Sequence, residues 1–130
     1  MDYQKVVEER NAVNRFPVSN GITLIEMSEG YARASLAVTE NHTNPIGSVH
    51  GGCLFTLADV AAGAAAASYG DKITTADASY HYLRPALNID RIYAEACVIK
   101  RGRSLTTVEV SVMSEENVVL GRAIFTCIPL

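Results

Sequence analysis

Between Glu40 and Asp71 the chain carries a single Asp, Glu, Lys or Arg, and it is Asp59. An ionised carboxylate in so apolar a stretch is costly unless it is paired, hydrogen-bonded or neutralised, and no sequence neighbour offers a cation. Nine residues upstream stands His50-Gly51-Gly52, at the start of a predicted helix. Backbone N–H groups at a helix start lack intrahelical partners and feel the positive end of the dipole, and glycine lets a ligand approach the backbone. Such donors stabilise an oxyanion formed from an acyl carbonyl, and a carboxylate further along serves as general base or nucleophile. These are the two halves of an acyl-transfer site. At roughly 1.5 Å per residue the helix holds them more than about 10 Å apart within one chain. The spacing therefore predicts that one subunit supplies Gly51 and another supplies Asp59.

Plainer readings compete for each residue. Asp59 alone fits a solvent-facing gap, a Gly-Gly pair alone is a turn, and His50 alone is a structural hydrogen-bonder. Cys53, three residues from His50, offers Cys–His chemistry, but most buried cysteines act as small hydrophobes. The signal lies in the combination.

The elements that must position these groups follow from periodicity. Asp2 to Val13 reads as a short docking helix ending before Phe16-Pro17. Ile22 to Met27 and Tyr31 to Val38 form a hairpin across Ser28-Glu29-Gly30, with Ala32, Ala34, Leu36 and Val38 along one face. Asn41 to Val49 is a loop. Gly52 to Ser68, rich in alanine and poor in β-branched residues, predicts a helix of about 25 Å. Its apolar residues run all the way round, which predicts a helix enclosed on most sides. Four strands follow: Ile73 to Leu83, Ile89 to Lys100, Leu105 to Ser114 and Val118 to Ile128. The clearest alternation sets Val108, Val110 and Val112 against Thr107, Glu109 and Ser111. Short turns make consecutive strands near neighbours, mostly antiparallel. The expected class is α+β, a curved sheet of about five to six strands wrapped around one long helix.

Bulk properties bound the reading. A chain of 130 residues, 48% hydrophobic and 19% charged, fits a single domain spanning residues 1–130 with its own core. No apolar run is long enough to span a membrane, and the polar start does not resemble a signal peptide. A net charge of −3 argues against a general nucleic-acid binder. Cys53, Cys97 and Cys127 form neither a CxxC nor a metal-type cluster with the histidines, so a reduced, cytoplasmic setting and no metal are expected.

The string Asn44-Pro45-Ile46-Gly47-Ser48-Val49-His50-Gly51-Gly52, followed by Leu57-Ala58-Asp59 and Tyr82-Leu83-Arg84-Pro85-Ala86, resembles the PaaI-like acyl-CoA thioesterases of the hotdog superfamily. Gly30-Tyr31-Ala32-Arg33 and Gly102-Arg103-Ser104 extend the likeness over nearly the whole chain. The resemblance implies a hotdog fold, a homodimer with active sites at its interface, commonly a homotetramer, and an acyl-CoA substrate without cofactor. It implies that Gly51 donates its N–H to the thioester carbonyl, that His50 and Asn44 help to fix the loop, carbonyl or water, and that Asp59 activates water or attacks directly. Thr75 falls where the family often has a water-positioning Ser or Thr, with Thr74 the nearest competitor. Asp77, by alternation, would share the face of Thr75.

At the coenzyme end, Lys100, Arg101 and Arg103 cluster with Gly102 and Ser104 in one turn and Arg84 lies in another, which suits phosphates or simply leaves solvated cations. Phe16, Tyr80, His81 and Tyr82 offer walls for an aromatic acyl group such as phenylacetyl or are ordinary core and interface material, and a medium-chain acyl group is the alternative substrate. Two other functions stand beside hydrolysis. One is a non-catalytic acyl-CoA-binding regulatory module on the same fold, and the other a dehydratase or hydratase.

Overall fold

The computed structural model describes residues 1–130. Helix α1 (Tyr3–Val13) starts at Asp2, whose carboxylate accepts a hydrogen bond from Lys5 N at 3.2 Å. As the sequence suggests, the first helix ends before Phe16-Pro17: the backbone leaves helical geometry at Asn14 (φ −86°, ψ 77°). A second short helix, α2 (Arg15–Ser19), follows at once. Pro17 sits in its first turn, where a missing N–H costs nothing.

Strands β1 (Ile22–Ser28), β2 (Tyr31–Ala37), β3 (Ile73–Tyr82), β4 (Arg91–Arg101), β5 (Thr106–Ser114) and β6 (Val119–Pro129) build one sheet in the order β1-β2-β4-β5-β6-β3. Every pairing is antiparallel. The predicted hairpin is β1-β2, and Val108, Val110 and Val112 on β5 are buried as their alternation requires. Helix α3 (Gly51–Ala67) lies across the concave face, burying Leu54, Leu57, Ala58, Ala61, Ala62 and Ala64 to Ala66. Alanine at the interface lets the strands approach the helix closely.

The helix is not enclosed on all sides. Gly52, Phe55, Thr56, Asp59, Val60 and Gly63 remain exposed or half-buried, and their spacing of three or four residues makes them one stripe. The sheet wraps one side of the helix only. It ends at β3, whose outer edge has no partner in the chain, so apolar residues on the far side stay open. No helix is long and apolar enough to cross a membrane.

Asn11 docks α1 to the sheet. Its Nδ2 donates to Leu24 O at 2.8 Å and its Oδ1 accepts from Leu24 N at 2.9 Å, beside the irregularity in β1 between Leu24 and Glu26. Asn11→Ala leaves two partly buried backbone groups without partners. It should cost about 1–3 kcal/mol, read as a lower urea midpoint with unchanged slope.

Candidate active site

The site is built from the loop before α3, the open stripe of α3, and strand β3. Asn44 ties the loop to itself: its Oδ1 accepts from Ile46 N and Ser48 N, both at 3.1 Å, and its Nδ2 donates to Ser48 Oγ at 2.8 Å. Val49 N donates to Ala86 O and His50 N to His42 O. His42, which sequence reading passed over, is buried in the 3₁₀ turn Glu40–His42. Its Nδ1 accepts from Thr39 N at 2.8 Å, so its Nε2, 2.6 Å from Asn20 O, is the donor.

His50 is the N-cap of α3. Its Nδ1 accepts from Gly52 N at 2.9 Å, and its carbonyl takes the N–H groups of Cys53 and Leu54. The Gly51 N–H is then the first-turn donor that the chain itself does not use. Gly51 O accepts from Tyr82 Oη at 2.9 Å. A β-carbon at position 51 would stand 3.0 Å from Tyr82 Cε1, so the tyrosine ring occupies the space that glycine leaves. Gly51 opens onto a cleft of about 280 Å³ with Asn44, Leu54, Tyr82 and Arg84. Cys53 is half-buried, and burial pushes its thiol up. With His50 Nδ1 committed to Gly52, the pair forms no activated nucleophile.

Asp59 lies on the open stripe in a separate cleft of about 380 Å³, lined also by Arg10, Phe16, Phe55, Val60 and Thr75. Thr75 Oγ1 donates to Asp59 Oδ1 at 2.8 Å, and none of the chain's ion pairs includes Asp59. Thr74 lines the same cleft but Thr75 makes the hydrogen bond. Opposite Thr75 on β6 stands Cys127, buried beneath the site. Burial pushes its thiol up, a hydrogen bond with Thr75 pulls it down, and the charge of Asp59 pushes it up again.

Asp77 does not share the face of Thr75. The register with β6 slips between Thr75 and Asp77, so Thr75 opposes Cys127 while Asp77 opposes Thr126, the adjacent residue. A bulge at Ala76 therefore inverts the alternation. Ala78 and Tyr80 turn inward and Asp77 and His81 outward, which removes His81 from the aromatic set. Tyr80 instead stacks between Tyr82, 4.3 Å away by ring centroid, and Phe55 at 6.1 Å. Phe16 stands at the mouth of the Asp59 cleft.

The predicted cations divide. Arg101 and Arg103 line a cleft of about 580 Å³ with Gly102, Lys72 and Ile73, and Ile73 also lines the Asp59 cleft. Gly102 N donates to Leu105 O at 2.8 Å, and a β-carbon there would stand 2.7 Å from that oxygen, so the turn requires glycine. Arg101 is already paired with Asp71 at 2.5 Å and lies over the Tyr69 ring. The Asp71 hydrogen bond holds its guanidinium above its ordinary range. Lys100 and Ser104 are exposed outside the cleft, and Arg84 lies in the Gly51 cleft instead.

Stepping by three and four from Asp59 would have found Phe55, Thr56 and Gly63 on the stripe. Nothing local points to Arg10, Lys72 or Cys127, which reach the site through tertiary packing.

The model of the thioesterase superfamily matches residues 46–120. The acyl-coenzyme A thioesterase PaaI of Escherichia coli is 32% identical over 75% of this chain and 69% of its own length. The chain spans between 65% and 69% of the lengths of these curated relatives. The solved E. coli PaaI structure superposes with a TM-score of 0.92 at 24% identity, over 98% of this chain and 92% of that one. A Streptococcus mutans structure bound to acetyl CoA gives 0.79 at 25% identity, over 84% and 88%. A hypothetical thioesterase of Streptococcus pneumoniae has been solved as two mutants, with alanine in place of an aspartate and of a threonine. They give TM-scores of 0.78 and 0.77 at 25% identity, over 83% of this chain and 89% and 88% of theirs.

Proposed function

We propose that this chain, which belongs to the thioesterase superfamily and has the hotdog fold of PaaI, hydrolyses an acyl-CoA thioester to a carboxylic acid and free CoA at a site shared by two copies. The observation that carries this reading is Asp59, held by Thr75 on the open stripe of a helix whose first turn presents the unused Gly51 N–H. The relatives named as acyl-coenzyme A thioesterases support the reaction class. In the S. pneumoniae protein the mutated aspartate and threonine lie sixteen residues apart, the separation of Asp59 and Thr75.

In this reading the thioester carbonyl accepts from the Gly51 N–H, and Asp59 removes a proton from water through the oxygen that Thr75 leaves free. The resulting hydroxide attacks the carbonyl carbon, and the amide donor holds the oxyanion. Collapse breaks the C–S bond, and the CoA sulfur takes the proton from Asp59. Direct attack by Asp59 would instead form an anhydride that water opens. Single turnover in ¹⁸O-water separates the two, because only the anhydride route delivers label to the Asp59 carboxylate when water opens it at the aspartyl carbon.

Strand direction supports the shared site. β3 runs from the Thr75 end of the sheet to Tyr82, which packs on Gly51. Its outer edge is unpaired, and such an edge is a template for a second strand. Antiparallel pairing of two β3 edges about a two-fold axis brings the Tyr82 and Gly51 end of one copy toward the Thr75 and Asp59 end of the other. Arg103 and Lys72, beside the Asp59 cleft, and Arg84, beside Gly51, then supply phosphate contacts from both copies. Two such dimers forming a homotetramer is part of the same proposal.

Release of free thiol from a panel of short, medium, dicarboxylic and aromatic acyl-CoA esters tests the function. Tight binding without thiol release over hours would favour a regulatory module instead. Thr75→Val should lower kcat roughly ten- to hundred-fold, the worth of one hydrogen bond to a charged group. Thr75→Ser keeps the hydroxyl and should retain most of the rate.

A further inference from the structure

The Asp59 cleft holds one charged group that hydrolysis does not use. Arg10 lies in the last turn of α1, and its Nη2 reaches to 3.8 Å from where a β-carbon on Gly63 would stand. Gly63 is one turn beyond Asp59 on the same open stripe, roughly 6 Å along the helix axis. The guanidinium thus lies within van der Waals reach of position 63.

Arg10 is half-buried, and burial lowers its pKa. Yet it joins none of the ion pairs, which are Lys5–Glu9, Arg101–Asp71 and Arg122–Glu109. No side-chain hydrogen bond of the chain uses its donors either. A half-buried guanidinium with no protein acceptor offers its donors to whatever enters the cleft, and its planar fork matches a carboxylate two bonds at a time. The cleft is lined by polar groups, among them Asn14, Thr56 and Thr74, as well as by Phe16 and Val60, and Val60 is the apolar residue of the stripe between Asp59 and Gly63.

We propose that this cleft selects acyl-CoA esters whose acyl chain ends in a second carboxylate. The terminal carboxylate is gripped by Arg10, the methylenes cross Val60, and the thioester carbonyl reaches Asp59. The inference rests on the thioesterase reading of Asp59. It adds the substrate class, because a neutral acyl chain of the same length offers the Arg10 fork no carboxylate to pair with.

The test compares glutaryl-CoA with valeryl-CoA, which match in chain length, on the full chain and on its Arg10→Gln and Arg10→Lys variants. The wild type should favour glutaryl-CoA in kcat/KM by roughly tenfold or more, and Arg10→Gln should bring that ratio close to one. Arg10→Lys, which keeps the charge without the fork, should fall between. Equal turnover of both esters by the wild type would overturn the inference, as would a preference that survives Arg10→Gln. A variant that loses both esters together with its oligomeric state would overturn it too, making Arg10 a subunit contact. Equilibrium binding of the two esters to the Asp59→Asn protein keeps the claims distinct. Selective binding of glutaryl-CoA there supports Arg10 even if no ester is hydrolysed, whereas absence of thiol release from every ester sinks only the thioesterase reading.

Discussion

Replacing Asp59 by asparagine should lower kcat by roughly two to four orders of magnitude and leave the circular dichroism spectrum and sedimentation coefficient unchanged. The substitution is nearly isosteric, and the amide oxygen still accepts from Thr75 Oγ1, which now lies 2.8 Å from Asp59 Oδ1. What disappears is the ability to take a proton or to attack a carbonyl. Asp59 forms no ion pair in the chain, so no buried cation is left uncompensated and no large loss of stability follows. Folding and activity therefore separate cleanly in this variant. Turnover within a few-fold of wild type on every acyl-CoA tested would remove Asp59 from the chemistry and with it the proposed mechanism.

Mixing two inactive variants restores activity if the site is divided. Gly51→Val places a side chain where the Tyr82 ring packs, since a β-carbon alone would stand 3.0 Å from Tyr82 Cε1, and so disturbs the carbonyl-binding turn. Asp59→Asn removes the proposed base. The Gly51 cleft and the Asp59 cleft share no lining residue within one chain, and eight residues of helix separate their key groups by about 12 Å. A thioester carbonyl cannot touch both in one copy. In a two-fold dimer containing one copy of each variant, one site has both defects and the other has neither. Random reassociation makes half the dimers mixed, so the mixture should recover about one quarter of the wild-type rate. Co-refolding the two proteins and measuring thiol release checks this. Recovery at the level of the parents would mean that each copy contains a complete site.

These expectations depend on different kinds of information. Asp59 was legible because a lone charge in an alanine-rich segment breaks the local pattern, and Gly51 because His-Gly-Gly stands where a helix begins. The helix and the six strands were legible for the same reason. Periods of 3.6 and 2.0 residues are properties of the local backbone, written directly into the order of side chains. The alternation of Val108, Val110 and Val112 survives in the fold because β5 runs without a bulge between Thr106 and Val112.

What the chain order does not display is the point at which a period slips. The bulge at Ala76 turns Asp77 and His81 away from Thr75, and it depends on how β3 must bend to pair with β6 while its Thr75 side chain meets α3. Pairing of charges is equally a tertiary matter. Arg101 belongs to Asp71, thirty residues away, and Arg10 comes to rest on Gly63 because Asn11 and its neighbours dock α1 against β1. The sequence by itself determined the chemistry available and the elements that carry it, since both follow from residue type and short-range spacing. Tertiary structure decided which face each residue presents, which cations are already neutralised, and that Gly51 and Asp59 open into different clefts. Those are outcomes of long-range packing, in which a single residue of register moves a side chain from one side of the sheet to the other.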